Sequence, residues 1–495
     1  MEVEDLKSRL LSGGSWVFAN KFLSGIFFIA RTAILARLLS PSEFGTAGLA
    51  LAAVGTISIF TNSGFHQAIV QKKEDVAKDL DTAWVVSVSR GIFSFAAIFL
   101  LAPYIAVFFK SDGLSTVIQV IGLDFIFRGL INPGTIYFQR ELNFKKVLIL
   151  NACEYGCAGL VAVVWALFSP SVWALVVSVP AGSAASAFCS FLIHPYRPRL
   201  KFDLGRARNL FRFGRWVFFG NVIFYFIFQL DSIVIGRILG DKALGFYQMS
   251  SRVASLPATH ITQMTSPLTF PMYARLQDKP AHLQKAYLEL FEILLFVLLP
   301  VSAFLFLYAR EIIDIFLGSG WLSIETSFKI LVGAALIRAI AGTGGSLFTG
   351  YGLPKLDFYM NFLRFATLVV LAYPFTVTWG TEGFALCVFF SLVTTLPLWW
   401  FGVRKVLRVK NWTLLRSFFF PAAVTIGVVI PLEVIRRWVM ETAGINLFLM
   451  GAIYLMVYSL TIIVLEFMGV ATVLGGLYKF IYPQVLGITK HFKKI

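Results

Sequence analysis

Charge is what this 495-residue chain has least of: only 14% of its residues are Asp, Glu, Lys or Arg, against 58% hydrophobic. Soluble domains carry roughly a quarter charged residues, so that class is excluded. Acidic residues are the scarcer kind, 26 against 43 basic. Cysteine is scarce too, with four residues, all inside apolar runs. Cys153 and Cys157 would share a helix face, which makes a metal pair conceivable, but no His or carboxylate pair completes a four-ligand set. Buried free thiols are the plainer reading, and no metal or cofactor is expected. There is no nucleotide-cradling P-loop. The first residues, "MEVEDLKSRLLSGGS", lack the pattern of a cleaved leader, so the first apolar run reads as a retained span. Long extramembrane loops are missing as well, which leaves no place for a catalytic domain. The chain is not expected to be an enzyme.

What is abundant is apolar length. Runs such as "LTIIVLEFMGVATVLGGL" approach the ~20 residues that cross a bilayer. Hydropathy and breakers divide the chain into spans near 16–36, 44–69, 82–108, 115–138, 147–168, 171–193, 214–237, 244–270, 286–309, 326–350, 357–379, 382–403, 414–435 and 446–467. That reading is an all-α polytopic membrane protein of about fourteen helices. With a cytoplasmic N-terminus, nearly all connector Lys and Arg residues fall inside. The outer side keeps Arg37, Lys110, Arg237, Lys242, Arg310, Arg436 and Arg437. Such a bias follows the positive-inside rule and places both termini in the cytoplasm of a cell inner (plasma) membrane. It also explains the net charge of +17 without nucleic acid.

The chain repeats itself. "ILARLLSPSEFG" (34–45) returns as "VIGRILGDKALG" (234–245), and "GSWVF" (14–18) as "GRWVF" (214–218), at one offset of 200 residues. Spans one and seven are the copies, so the unit is six helices. An even number of spans gives both copies one orientation, the parallel-repeat arrangement of many transporters. The expected organisation is an N-terminal lobe (1–193), a cytoplasmic linker (194–213), a C-terminal lobe (214–405), and two further spans with a cytoplasmic tail (406–495). Two such lobes suit alternating access around a midplane site.

Span eight carries the strongest functional signal. Gln248, Arg252, Ser255, Thr259, Thr262 and Ser266 recur every three or four residues, within about 40° of one line down a helix. Polar groups in hydrocarbon need partners or water. The stripe reads as the wall of a wet cavity, with a Ser/Thr packing seam as the blander alternative. Pro257 should kink this helix and serve as a hinge. The matching line in span two includes Asn62 and His66. Span one adds Asn20, Ser24 and Arg31 on one face, and Asp231 stands at the repeat position of Arg31. Arg252 could hold an anion or pair with Asp231; both readings stay open. Arg37 and Arg237 could grip headgroups or fasten an outer gate. Arg90, Arg128 and Arg364 are further cations within spans. The excess of Arg over carboxylate favours an anionic cargo, because the guanidinium fork suits phosphate. A proton or Na+ is the candidate coupling ion.

"ILARLLSPSEFG", "SGFHQAIVQKKED", "QRELNFKK", "FRFGRW" and "IGRILGDKALGFYQMSSRVASLP" together resemble the polysaccharide transporter family, most of all its Wzx-type exporters. The resemblance covers about residues 7–405. It implies a two-lobed fold shared with multidrug and toxin extrusion antiporters and the lipid II flippase. It further implies flipping of undecaprenyl-pyrophosphate-linked oligosaccharide between leaflets for capsule, O-antigen or exopolysaccharide synthesis. Membrane lipids, and a polysaccharide polymerase complex, would be the partners. A drug or cation antiporter of the same fold is the alternative, and it would want cavity carboxylates.

Overall fold

The computed structural model describes residues 29–61, 77–140, 144–203, 229–443 and 447–467, together with 25 and 27. Everything regular among them is helical. The helices of ten or more residues are α1 (29–38), α2 (Pro41–Thr61), α3 (Ala77–Phe109), α4 (Leu114–Leu130), α5 (Phe144–Phe168), α6 (Trp173–Ile193), α7 (229–238), α8 (Asp241–Leu276), α9 (Pro280–Leu307), α10 (Glu325–Gly350), α11 (Pro354–Val393), α12 (Leu396–Leu407), α13 (Asn411–Ala443) and α14 (Leu447–Phe467). Seven helical stretches among the described residues are long and apolar enough to cross a bilayer. Val107 and Phe168 are 78% and 88% exposed, and Phe93, Leu100 and Tyr104 are exposed too. Apolar surface on that scale is stable only against lipid.

Packing divides the chain into two units, one up to Gln248 and one from Met249 onward. The boundary runs through α8. In the first unit, α3 pairs with α4, α5 with α6, and α4 packs on α6 and α2. Glycine lets α3 and α4 touch backbone to backbone. A Cβ on Gly91 would stand 2.5 Å from the Phe125 carbonyl oxygen, and one on Gly129 2.8 Å from that of Ser87. The span expected to reach residue 138 stops at Leu130. Pro133 disfavours helix at the residue before it, and the Asn132 side chain instead accepts from the Gly134 N–H at 2.9 Å. That turn also anchors the start of the connector. The Asn132 amide donates to the Tyr196 carbonyl (2.8 Å), and the Tyr196 hydroxyl donates to Asp81 (2.6 Å). Burial first, and then the Asp81 carboxylate, push the Tyr196 phenol above its ordinary range, so it stays a neutral donor.

The second unit is built from the remainder of α8 and α9–α14. Its aromatic core stacks Tyr287 on Phe291 at 5.9 Å and Phe291 against Trp399 at 5.5 Å. Within α11, Gly380 (φ 60°, ψ −136°) leaves helical geometry, a conformation cheap only for glycine. The two arms then fold back on each other: Thr367 meets Thr394, and the Phe375 ring lies 6.1 Å from that of Phe390. The stretch is thus a helical hairpin, turning between the spans expected at 357–379 and 382–403.

The breaks recur at the repeat offset. Leu39 N–H donates to the Leu35 carbonyl and Leu239 N–H to that of Ile235, both at 2.8 Å, closing α1 and α7 alike. Leu35 and Ile235, Ala47 and Tyr247, and Val54 and Ala254 are buried at matching positions.

Gly91→Val should lower the melting temperature of purified protein, with an overpacking cost of about 1–3 kcal/mol. Gly156→Ala, at a helical position with no heavy atom near its Cβ direction, should leave it unchanged or raise it. Thermal melts in one detergent check both.

Candidate functional site

The polar line on α8 meets three different surroundings. At the top, in the first unit, the Gln248 amide donates to the Ser232 hydroxyl at 3.1 Å and packs over Gly48, where a Cβ would collide with it. Glycine at 48 is the space that Gln248 occupies. Arg252 is half-buried one turn below, and the Ser255 hydroxyl donates to its carbonyl at 3.4 Å. The helix runs on through Pro257 without interruption.

Lower, in the second unit, Thr259 accepts from the Arg338 guanidinium at 3.0 Å. Arg338 stands near the middle of α10, and Arg364 comes from the first arm of α11. With Ser251 and Ser255 these two cations line one opening. Ala334 and Ala335 make the room, and Leu331, Val388 and Leu392 complete the wall. Among the described residues, no carboxylate lines it. Two guanidiniums lining one opening in a low-dielectric wall favour an anion, and their planar fork favours phosphate oxygens.

Below lies a small neutral chamber lined by Thr262, Thr265, Thr269, Thr343, Ser346, Tyr273 and Tyr287, among others. The Thr262 hydroxyl donates to the Ala258 carbonyl (2.7 Å), Thr265 to Ile261 (3.1 Å) and Thr343 to Ile340 (2.7 Å). A hydroxyl has one proton, so these three offer the chamber lone pairs. Acceptors beside aromatic rings suit a ligand rich in hydroxyl donors.

The first unit handles its charges differently. The Arg31 guanidinium donates to Ser178 at 3.1 Å, and Asp231 accepts from the Ser232 N–H at 2.6 Å. Arg128 is compensated: it donates to Asp124 at 2.7 Å and Glu154 at 2.8 Å, and Ser183 donates to the other Asp124 oxygen. Arg90 is half-buried in α3. Arg237 lies over the Phe108 ring at 5.1 Å, a cation–π contact, and Arg37 is exposed. Asn20 and Asn62 fall outside the described residues, as do Ser24 and His66. The described cysteines are free thiols. Nothing in the sequence singles out Arg338 from the other cations within spans. Its meeting with Thr259 and Arg364 has no signal in spacing, because the three residues come from three helices.

Comparison with known proteins follows the same line. Residues 34–326, more than half of the chain, match the family described as "Polysaccharide biosynthesis protein". The lipopolysaccharide biosynthesis protein WzxC of Escherichia coli K12 is 24% identical over 84% of this chain and 85% of its own length. The teichuronic acid biosynthesis protein TuaB of Bacillus subtilis is 20% identical over 72% and 74%. Among solved structures, the lipid II flippase MurJ in an inward closed conformation superposes with a TM-score of 0.73 at 13% identity, over 95% of this chain and 99% of its own. An inward-facing MATE multidrug transporter of the MOP superfamily gives 0.53 at 17%, over 82% and 95%. These likenesses identify the fold as that of multi-pass membrane transporters rather than catalytic enzymes. With the match across residues 34–326, more than half of its length, the chain belongs to the family described as "Polysaccharide biosynthesis protein".

Proposed function

We propose that the chain flips a polyprenyl-pyrophosphate-linked oligosaccharide, undecaprenyl in bacteria, from the cytoplasmic to the outer leaflet of the plasma membrane. The observation that carries this reading is the single opening lined by both Arg338 and Arg364. Charge within a bilayer is costly and marks function; here the sign fits a diphosphate. Arg252 and Arg31 extend the cationic set, the hydroxyl chamber accepts sugar, and the lipid tail remains in the bilayer. The WzxC, TuaB and MurJ likenesses support the cargo class. Repeat copies 200 residues apart support alternating access between two six-helix lobes, with α13 and α14 added. The bias of Lys and Arg to one side supports cytoplasmic termini. A proton or Na+ gradient supplies the energy, and a polymerase complex takes the product. The drug-antiporter alternative shares the fold, but the membrane carboxylates Asp124 and Glu154 are already engaged by Arg128.

In nanodiscs, a soluble polyprenyl-pyrophosphate analogue should bind in a salt-sensitive manner. Arg338→Gln with Arg364→Gln should weaken it tenfold or more, about 1.4 kcal/mol, and Arg252→Ala and Arg31→Ala should also weaken it. Binding of organic cations in place of the diphosphate would overturn the reading in favour of an antiporter.

Thr262→Val with Thr343→Val should leave that sugar-free analogue bound as before while weakening the full lipid-linked oligosaccharide several-fold. Equal losses for both ligands would remove the chamber from the sugar path.

A further inference from the structure

The repeated segment does more than mark an old duplication. Its two copies touch each other, and they do so reciprocally. A Cβ on Gly45 would collide with the Asp241 carbonyl oxygen and lie 3.0 Å from the Gly245 nitrogen. A Cβ on Gly245 would collide with the Pro41 carbonyl oxygen and lie 2.9 Å from the Gly45 nitrogen. Positions 41 and 45 thus meet 245 and 241 in the pattern of a local twofold axis, in which residue i meets j and j meets i. The crossing joins the first turns of α2 to the first turns of α8, all within the first unit. Both glycines are needed there because only backbone fits.

One side of the crossing carries a clasp. The Ser42 and Thr46 hydroxyls donate to one Asp241 carboxylate oxygen at 3.0 and 3.1 Å, and the Lys242 N–H donates to the other at 2.7 Å. The symmetry mate of Asp241 is Pro41, which has no carboxylate to make a second clasp. Each helix is preceded by a break, at Ser40 and at Gly240, the latter with φ 86°. Beneath the crossing, Gly236 packs on Leu49 and Phe109.

These features together describe a contact built to open. Backbone-on-backbone crossings of small residues have no interdigitated side chains to unlock. The clasp is polar and exchanges readily with water, and a break in each chain lies one residue away to absorb rotation. By charge bias this end of the helices is the outer one. We propose that the Gly45/Gly245 crossing, clasped by Asp241 to Ser42 and Thr46, is the reversible outer closure of the transport path. It parts when the outer side opens. The proposal requires a transporter but not any particular cargo.

A thiol probe tests this without transport. In a variant with Cys153, Cys157, Cys189 and Cys387 replaced by Ala, Leu49→Cys places a thiol at a site that is 0% exposed under the crossing. Ala162→Cys, equally buried in α5, reports general loosening. In nanodiscs, Asp241→Asn, or Ser42→Ala with Thr46→Val, should raise labelling of the thiol at position 49 by a water-soluble maleimide threefold or more, with the thiol at position 162 unchanged. Unchanged labelling at position 49, or equal rises at both sites, would overturn the proposal. Separately, Ser42→Cys with Asp241→Cys should form an oxidant-dependent cross-link that leaves the position-49 thiol unreactive even in excess cargo analogue. Failure to cross-link, or a cross-linked protein that labels at position 49 as fast as the reduced one, would also overturn it. Because these readouts need no turnover, a wrong cargo assignment would leave them intact.

Discussion

Hydrocarbon does not tolerate an unpaired polar group, and the molecule is arranged around that constraint. Hydroxyls in the helices donate back to carbonyls of their own helix, as Thr262, Thr265, Thr343, Thr376 and Thr425 do. Arg128 sits between two carboxylates, one of which also holds Ser183. Replacing such a network with apolar residues is often harmless, but removing one partner leaves a buried charge. In the second unit, two guanidiniums, Arg338 and Arg364, line one opening together with Ser251 and Ser255.

The same constraint shapes how the helices meet. Between helices in lipid there is little hydrophobic drive, so contact depends on close approach. Glycine provides it between α3 and α4, and again where α2 crosses α8. The two uses differ. At Gly91 the crossing lies mid-helix and at Gly129 in the last turn of α4, both among packed neighbours. At Gly45 and Gly245 it lies one turn from a chain break, with the Asp241 carboxylate as fastener.

Much of this was legible in the sequence. Helix positions followed from apolar runs because each helix must bury its own backbone polar groups, whatever its neighbours do. The turn near Gly380 was visible for the same reason. The boundary at Asn132–Pro133 was misjudged: the apolar run continues to Phe138, and hydropathy outweighed the local preference of the residue before proline. Pro257, expected to bend α8, lies inside a helix that continues from Asp241 to Leu276. The described members of the polar stripe on α8 meet different neighbours along the helix. Gln248 faces Gly48 and Ser232, Ser255 and Thr259 face the arginines, and Thr262 faces the hydroxyl chamber.

The sequence by itself determined the class, the helices, the repeat and the sign of the charge in the spans, because these depend on residue type and one-dimensional spacing. Only the tertiary structure decided which groups each charge meets. Arg128 and Arg364 look alike in the sequence, each an Arg in an apolar helix, but one meets Asp124 and Glu154 while the other shares an opening with Arg338. Nor could spacing show that Gly45 and Gly245 meet. Contacts between residues 200 positions apart are set by how helices cross, and crossing geometry is a property of packed surfaces rather than of any single segment.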